Sequence, residues 1–303
     1  MFDINKGLKL KNIHIENYKK FQNFDIDFTD KENNPLPIII IAGINGSGKT
    51  TLLEYIQKEN SNNLIYLPAN KGVEDIKEFL PKYLFQKIFM EEADVKQTYK
   101  EVREYINTIF NNFEIKIEFE SRDAEGNLFF RNKKDEIFSI DEISTGEKTL
   151  LSKVLYLYLR EIKDSVILID EPELSLHPAW QNRVLKLYEN FAKENNCQII
   201  IATHSPHIIG SAKNEWIRIL TEDGVINDVL AYGRDIEWVL EEVMGASYTR
   251  EPTIAKKIKE CEELLNEDKY DEAEEFIDAL EVLIGANDKE VLALRNSLEF
   301  WRD

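Results

Sequence analysis

In Gly43-Ile44-Asn45-Gly46-Ser47-Gly48-Lys49-Thr50, three glycines, a lysine and a hydroxyl recur at the spacing that grips a polyphosphate. Glycine lets the backbone wrap tightly enough for its N–H groups to point inward at anionic oxygens. Gly43, Asn45, Gly46, Ser47 and Gly48 are expected to form that cradle, with Thr51 just beyond it. Lys49 would reach the outer phosphates, and the Thr50 hydroxyl would ligate a divalent cation. A glycine turn of no special purpose is the alternative, and the spacing and context weigh against it. Val166-Ile167-Leu168-Ile169-Asp170-Glu171-Pro172 is an aliphatic run that ends in two acids. Asp170 is placed to hold a hydrated metal ion, and Glu171 to accept a proton from an attacking water. Two solvated carboxylates at a strand end are the plain alternative.

A third stretch, Ile199 to Ala202, leads into Thr203-His204-Ser205-Pro206-His207. A polar residue just past a neighbouring strand faces the same crevice, so His204 could bond a terminal phosphate and register its loss. A zinc site from His177, His204 and His207 is the rival reading. The chain has four histidines and no cysteine at ligand spacing, which favours the phosphate role for His204 and a structural one for His207. A fourth stretch, Ile143-Ser144-Thr145-Gly146-Glu147-Lys148, places Ser144 and Gly146 at a helix start, where an anion can bind. Taken alone it reads as a helix cap, and only the order of the motifs points past that.

The elements around these residues follow from hydrophobic period. Leu8, Leu10, Ile13 and Ile15 lead into Phe24-Asp25-Ile26-Asp27-Phe28, a period of two that predicts N-terminal strands. Ile38 to Ile41 is an unbroken aliphatic run, suited to a strand buried on both faces. A helix is expected from about Lys49 to Gln57, a strand over Leu64 to Pro68, and helical structure over about 72–110. Phe113, Ile115, Ile117 and Phe119 alternate with charged residues, Asp123 to Asn127 reads as a turn, and Leu128 to Phe130 as a return strand. This middle stretch, about 72–137, reads as an insertion. Helices are then expected from Gly146 to about Lys163 and from Pro178 to about Lys193. Between and after them lie two further buried strands, Val166 to Ile169 and Ile199 to Ala202, and the pattern predicts an α/β fold with a mainly parallel sheet. Beyond residue 235 an acidic helical region is expected, with Ala273, Phe276, Ile277, Leu280, Leu283 and Ile284 on one stripe, Gly285 as a helix stop, and Val291, Leu294, Leu298 and Trp301 on a last stripe.

The bulk numbers narrow the class. The chain has 303 residues, 43% hydrophobic and 31% charged, as expected of a soluble globular protein. Its longest aliphatic run is far shorter than the ~20 residues of a membrane span. The first residues lack the pattern of a signal peptide. Two cysteines leave little room for a disulfide framework, and a cytoplasmic location is expected. The net charge of −19 argues against a broad basic face for nucleic acid. From Asp235 onward 20 acids stand against 8 Lys and Arg, giving −12 of that total, so a local basic groove remains open in the first 234 residues.

The order of the four stretches resembles the ABC ATPases, in particular the branch with SMC, RecF and OLD (overcoming lysogenization defect) proteins. Ser144-Thr145-Gly146-Glu147-Lys148 is similar to the signature segment of that branch. Glu173-Leu174-Ser175-Leu176-His177-Pro178 is similar to its D-loop, with Ser175 and His177 as candidate site residues. Ala202-Thr203-His204-Ser205-Pro206 is similar to its switch loop, and Asn17-Tyr18-Lys19-Lys20-Phe21 to a segment near the nucleotide. The resemblance implies a P-loop ABC-type nucleotide-binding domain at residues 1–234, a mostly parallel sheet with antiparallel N-terminal strands and the insertion at 72–137, followed by a helical cap at 235–303. It implies ATP hydrolysis with Mg2+ held by Thr50 and Asp170, and with Lys49, Glu171 and His204 as catalytic groups. It also implies a dimer that sandwiches two ATPs, each protomer completing the other's site through Ser144, Gly146 and Glu147.

No Q-loop glutamine stands out, and the insertion of about 70 residues is too short for an SMC coiled coil. Neither a Toprim nor a His-Asn-His nuclease pattern is found, so nuclease or toxin activity is expected from a partner chain. The region from Tyr232 to Gly245 and the acidic helices after it resemble the tails of small OLD-like ATPases of antiphage systems, among them Septu and retron-associated pairs. That resemblance points to an ATPase switch, forming a dimer or higher even oligomer, that controls a separate effector such as a nuclease. A RecF-like ATPase that binds DNA directly and an ATP-dependent scaffold with little turnover are the alternatives, and a transporter subunit fits the signature and D-loop least.

Overall fold

The computed structural model describes residues 9–59, 64–69, 76–111, 113, 117–123, 125, 127–132, 134–227, 229–245 and 250–302. They divide into two compact units, Met1–Met244 and Gly245–Asp303. The first opens with an antiparallel hairpin of β1 (Asn12–Tyr18) and β2 (Phe21–Asp27). Then come β3 (Ile38–Ala42), α1 (Lys49–Glu59) and β4 (Leu64–Leu67). The insertion holds α2 (Ile76–Phe85), α3 (Val95–Asn111) and a three-stranded antiparallel sheet of β5 (Ile117–Arg122), β6 (Leu128–Asn132) and β7 (Ile137–Ser139). The chain returns through α4 (Thr145–Leu159), β8 (Val166–Asp170), α5 (Pro178–Glu194), β9 (Gln198–Ala202) and α6 (Pro206–Ser211). It ends the unit with β10 (Ile217–Leu220), β11 (Val225–Asn227) and the single turn α7 (Ile236–Trp238).

The central sheet runs in the order β11-β10-β3-β9-β8-β4. Every pair in it is parallel except β10 with β11. Its middle strands β3, β9 and β8 are buried along their whole length, as their isoleucine-rich runs demand of strands covered on both faces. Two buried polar side chains tie other segments to it. Gln198 in β9 bonds the Leu10 backbone at both N–H and carbonyl, and Arg218 in β10 donates to the carbonyls of Asp27 and Thr29. Such satisfied polar groups fix which segment lies where.

The second unit is three helices: α8 (Pro252–Asn266), α9 (Tyr270–Ile284) and α10 (Lys289–Arg302). Ile258, Cys261, Leu265, Ala273, Ile277, Leu280, Val291, Leu294 and Leu298 form its own core. Gly285 ends α9 at φ +93°, the conformation that favours glycine at a helix stop. Leu283 and Trp301, read as part of the apolar stripes, are 58% and 46% exposed and lie outside that core. Among the described residues no helix is long and apolar enough to cross a membrane.

Several local readings are refined. The helical stretch expected over about 72–110 holds two helices among the described residues. A π-helical turn, Gln86–Met90, ends α2, Glu92 takes φ +54°, and the Asp94 carboxylate caps the next helix through the Gln97 amide. Residues 70–75 and 114–116, parts of that helical reading and of the alternating strand, fall outside the described residues, as do Leu8 and positions 124 and 126 of the expected turn. The helix after Gly146 stops at Leu159, because Glu161 adopts φ +50°. Strands β7, β10 and β11 are too short for period to reveal them.

Candidate functional site

Three neighbouring parallel strands deliver three loops to one edge. β3 pairs with β9 and β9 with β8, with Ile41 opposite Ala202 and Ala202 opposite Asp170. The glycine loop leaves β3, His204 follows β9, and Glu171 follows β8, so all three converge beyond the carboxyl ends of the strands. The first and third of these border a cavity of about 200 Å³, lined by Lys20, Glu171 and the loop residues Asn45, Gly46, Gly48, Lys49, Thr50 and Thr51; His204 is not among its lining residues. A hollow of about 440 Å³ beside the insertion is larger, but its Lys87 is already paired with Glu91 and Glu161, and no catalytic group faces it.

The loop is held by its own groups. Lys49 Nζ donates to the carbonyls of Gly43 at 2.8 Å and Ile44 at 3.0 Å, which curls the backbone around the ammonium. Burial pulls the Lys49 pKa down, opposed by the charges of Glu171 and Asp170. Gly48 sits at φ +104° where a Cβ would lie 2.8 Å from the Phe21 ring and 2.9 Å from Lys20, so the β1–β2 turn closes directly on the loop. Lys20 Nζ donates to the Gly46 carbonyl at 2.7 Å. Ser47 is buried, and its hydroxyl has no hydrogen-bond partner.

The acids divide by partner. Asp170, buried at the end of β8, accepts from the Thr50 hydroxyl at 2.9 Å and lies 3.5 Å from the Tyr66 hydroxyl on β4. Burial pushes its pKa up, against the Thr50 hydrogen bond. Glu171 takes φ +44°, bonds the Ala202 carbonyl through its N–H, and meets His204 Nδ1 with Oε1 at 2.9 Å. Glu173 is buried, accepts from the Thr203 hydroxyl at 2.5 Å and the His204 amide at 3.1 Å, and is pushed up in pKa by that burial.

The residues expected to form the signature and the D-loop lie elsewhere in the unit. Ser144 and Glu147 cap α4 reciprocally, the serine hydroxyl meeting the glutamate at 2.6 Å and the Glu147 amide bonding back. Gly146 is buried, and a Cβ on it would come within 2.3 Å of the Ser175 carbonyl. Ser175 is exposed at φ +67°, and His177 is exposed and caps α5 by accepting from the Ala179 amide. Within one chain these five do not line the phosphate cavity. Lys20 and Glu173 were not singled out from sequence as site residues. Lys20 lies inside the Asn17–Phe21 segment and Glu173 directly follows the Asp-Glu-Pro run, so adjacency to a motif was the signal available for each.

Residues 8–83 match the family described as "AAA ATPase domain", and residues 85–210 the family described as "AAA domain, putative AbiEii toxin, Type IV TA system". Septu protein PtuA of Bacillus thuringiensis is 26% identical, over 89% of this chain and 73% of that protein. The Retron Ec83 probable ATPase of Escherichia coli is 26% identical over 57% of this chain and only 34% of its own length. The zinc import ATP-binding protein ZnuC of Wigglesworthia glossinidia brevipalpis is 30% identical over 69% of this chain and 81% of its own length.

Proposed function

The chain belongs to the ABC-type P-loop ATPases, and from that premise we propose that it is the ATP-driven switch of an antiphage defence system, controlling a separate effector protein. Glu171 carries the reading: it lines the phosphate-loop cavity, and His204 orients its carboxylate at 2.9 Å. Glu171 takes the proton of the attacking water, and His204 holds that carboxylate and meets the terminal phosphate. Lys49 exchanges the carbonyls of Gly43 and Ile44 for phosphate oxygens, while the amides of the loop bind the rest.

Thr50 and Asp170 would hold the metal. Their oxygens are hard ligands already 2.9 Å apart, and a buried carboxylate beside Glu171 gains from a cation. Mg2+ bound there supplies neutralisation of the phosphate charge. Tyr66 keeps the Asp170 carboxylate aimed across the strand end.

Ser144 and Gly146 stand at a helix N-terminus outside the cavity of their own chain, a placement suited to the nucleotide of a second copy. ATP then bridges two protomers, cleavage releases them, and the effector follows that cycle. The likeness to PtuA and to the Ec83 ATPase supports the defence role, and a cytoplasmic location goes with it.

Mass photometry of the Glu171→Gln chain, with and without Mg·ATP, tests the cycle alongside a phosphate-release assay. The expected outcome is an ATP-dependent shift from monomer to dimer, with phosphate release lowered about 100-fold or more. Undiminished release would remove Glu171 from its role. A mass indifferent to ATP would overturn the sandwich.

A further inference from the structure

Two buried groups of opposite charge lack any hydrogen-bond partner: the ammonium of Lys153, 3% exposed, and Oε2 of Glu173, 5% exposed. A lysine is rarely buried so fully unless something opposes its charge. Lys153 lies on α4 seven residues after Gly146, hence on the same helix face. Gly146 packs against the Ser175 carbonyl, so that face is turned toward the segment that follows β8. Burial lowers the Lys153 pKa, and the charges that oppose this come from Glu173, then Asp170 and Glu171.

The other carboxylate oxygen of Glu173 is occupied. It accepts from the Thr203 hydroxyl and the His204 amide, and it lies 3.6 Å from His204 Nδ1. The same ring nitrogen meets Glu171 at 2.9 Å. Glu173 thus links the segment packed against the head of α4 to His204 and, through that ring, to Glu171.

We propose that Lys153 is the buried counter-charge of Glu173 and, through it, a positioning residue for His204 and Glu171, so that the placement of α4 governs whether these groups can cleave ATP. Gly146 and Ser144 at the head of that helix face a second copy in the proposed cycle, on which this inference rests. Arrival of the second copy's nucleotide shifts α4, Lys153 moves with it, and Glu173 carries the change to His204. A lysine that merely fills space predicts the opposite result. Removing an unpaired buried charge would then leave turnover alone and leave stability unchanged or raised.

The test uses the full chain with Lys153→Met, Glu173→Gln and the double variant, reading kcat and KM for Mg·ATP together with thermal melting. Lys153→Met is expected to lower kcat about tenfold, keep KM within about twofold, and melt below the wild type, because it leaves the Glu173 carboxylate buried without its counter-charge. The double variant is expected to be no slower than the slower single one. An unchanged kcat in Lys153→Met, or losses that multiply in the double variant, would overturn the proposal. Should Lys153→Met lose its cooperative melt, Lys153→Gln is read against the same two outcomes. A Glu171→Gln chain as active as the wild type would overturn the assignment of Glu171 and this proposal with it. Where that variant is inactive, the Lys153 result stands on its own.

Discussion

Glu171 occupies the left-handed region at φ +44°, a conformation that costs a non-glycine residue on the order of 1–3 kcal/mol. Its N–H is held by the Ala202 carbonyl at 2.8 Å, and His204 lies two residues beyond that carbonyl. The exit of β9 therefore fixes both the backbone of Glu171 and the ring that orients its side chain. Gly146 shows the same economy of space. It begins a helix, yet no Cβ fits between it and the Ser175 carbonyl at 2.3 Å. Gly146→Ala is expected to lower unfolding free energy by about 1–3 kcal/mol through overpacking, as read from the midpoint of chemical denaturation. An unaltered midpoint would contradict the close approach of α4 to the Ser175 backbone. By themselves Ser144 to Lys148 read as a helix cap, and only the resemblance made them a signature. The structure shows the Ser144–Glu147 cap, and it adds a packing reason for Gly146 that no local pattern carries.

Among the elements, α5 depends on a charge cluster. Glu189, 6% exposed, meets Lys186 at 2.8 Å and Lys193 at 2.7 Å on its own helix, and Lys213 at 3.4 Å. Burial raises its pKa, but the three ammonium groups outweigh that and hold it at about 2, against 4.5 for a free glutamate. A carboxylate depressed on folding stabilises the protein above its unfolded value and loses that contribution as pH falls from about 4.5 through about 2. Glu189→Gln is accordingly expected to cost about 1–2 kcal/mol near pH 7, with the gap to the wild type closing by about pH 2. Urea denaturation across that range checks it, and a gap that persists at the acid end would refute the assignment. The strands β3, β8 and β9 were legible because a buried parallel strand needs an aliphatic run and nothing else. The break at 91–94 was not, because Glu92 and Asp94 read as ordinary helix-surface residues until φ is known. Lys153 was hidden for a like reason, since a lysine on a helix is normally solvated and only tertiary packing buries this one.

At the scale of the molecule, the phosphate loop, its acids and the insertion all fall within Met1–Met244. The acidic surplus that begins near Asp235 runs on through the three helices of Gly245–Asp303. Three of the four motifs were readable from residue types, because each of them follows an aliphatic strand of the central sheet.

Each core encloses one thiol. Cys197 lies in the first and Cys261 in the second, both at 0% exposure, and burial pushes both pKa values up, that of Cys261 to about 11. An alkylating reagent can reach either sulfur only when the surrounding core opens, so the native chain carries a separate clock in each half. Peptide mass spectrometry after timed alkylation reads the two clocks in a single sample. Mg·ATP is expected to slow modification at Cys197 and to leave Cys261 at its former pace, since a ligand protects only the unit that must stay closed to hold it. Equal slowing at both would mean that the two halves breathe as one.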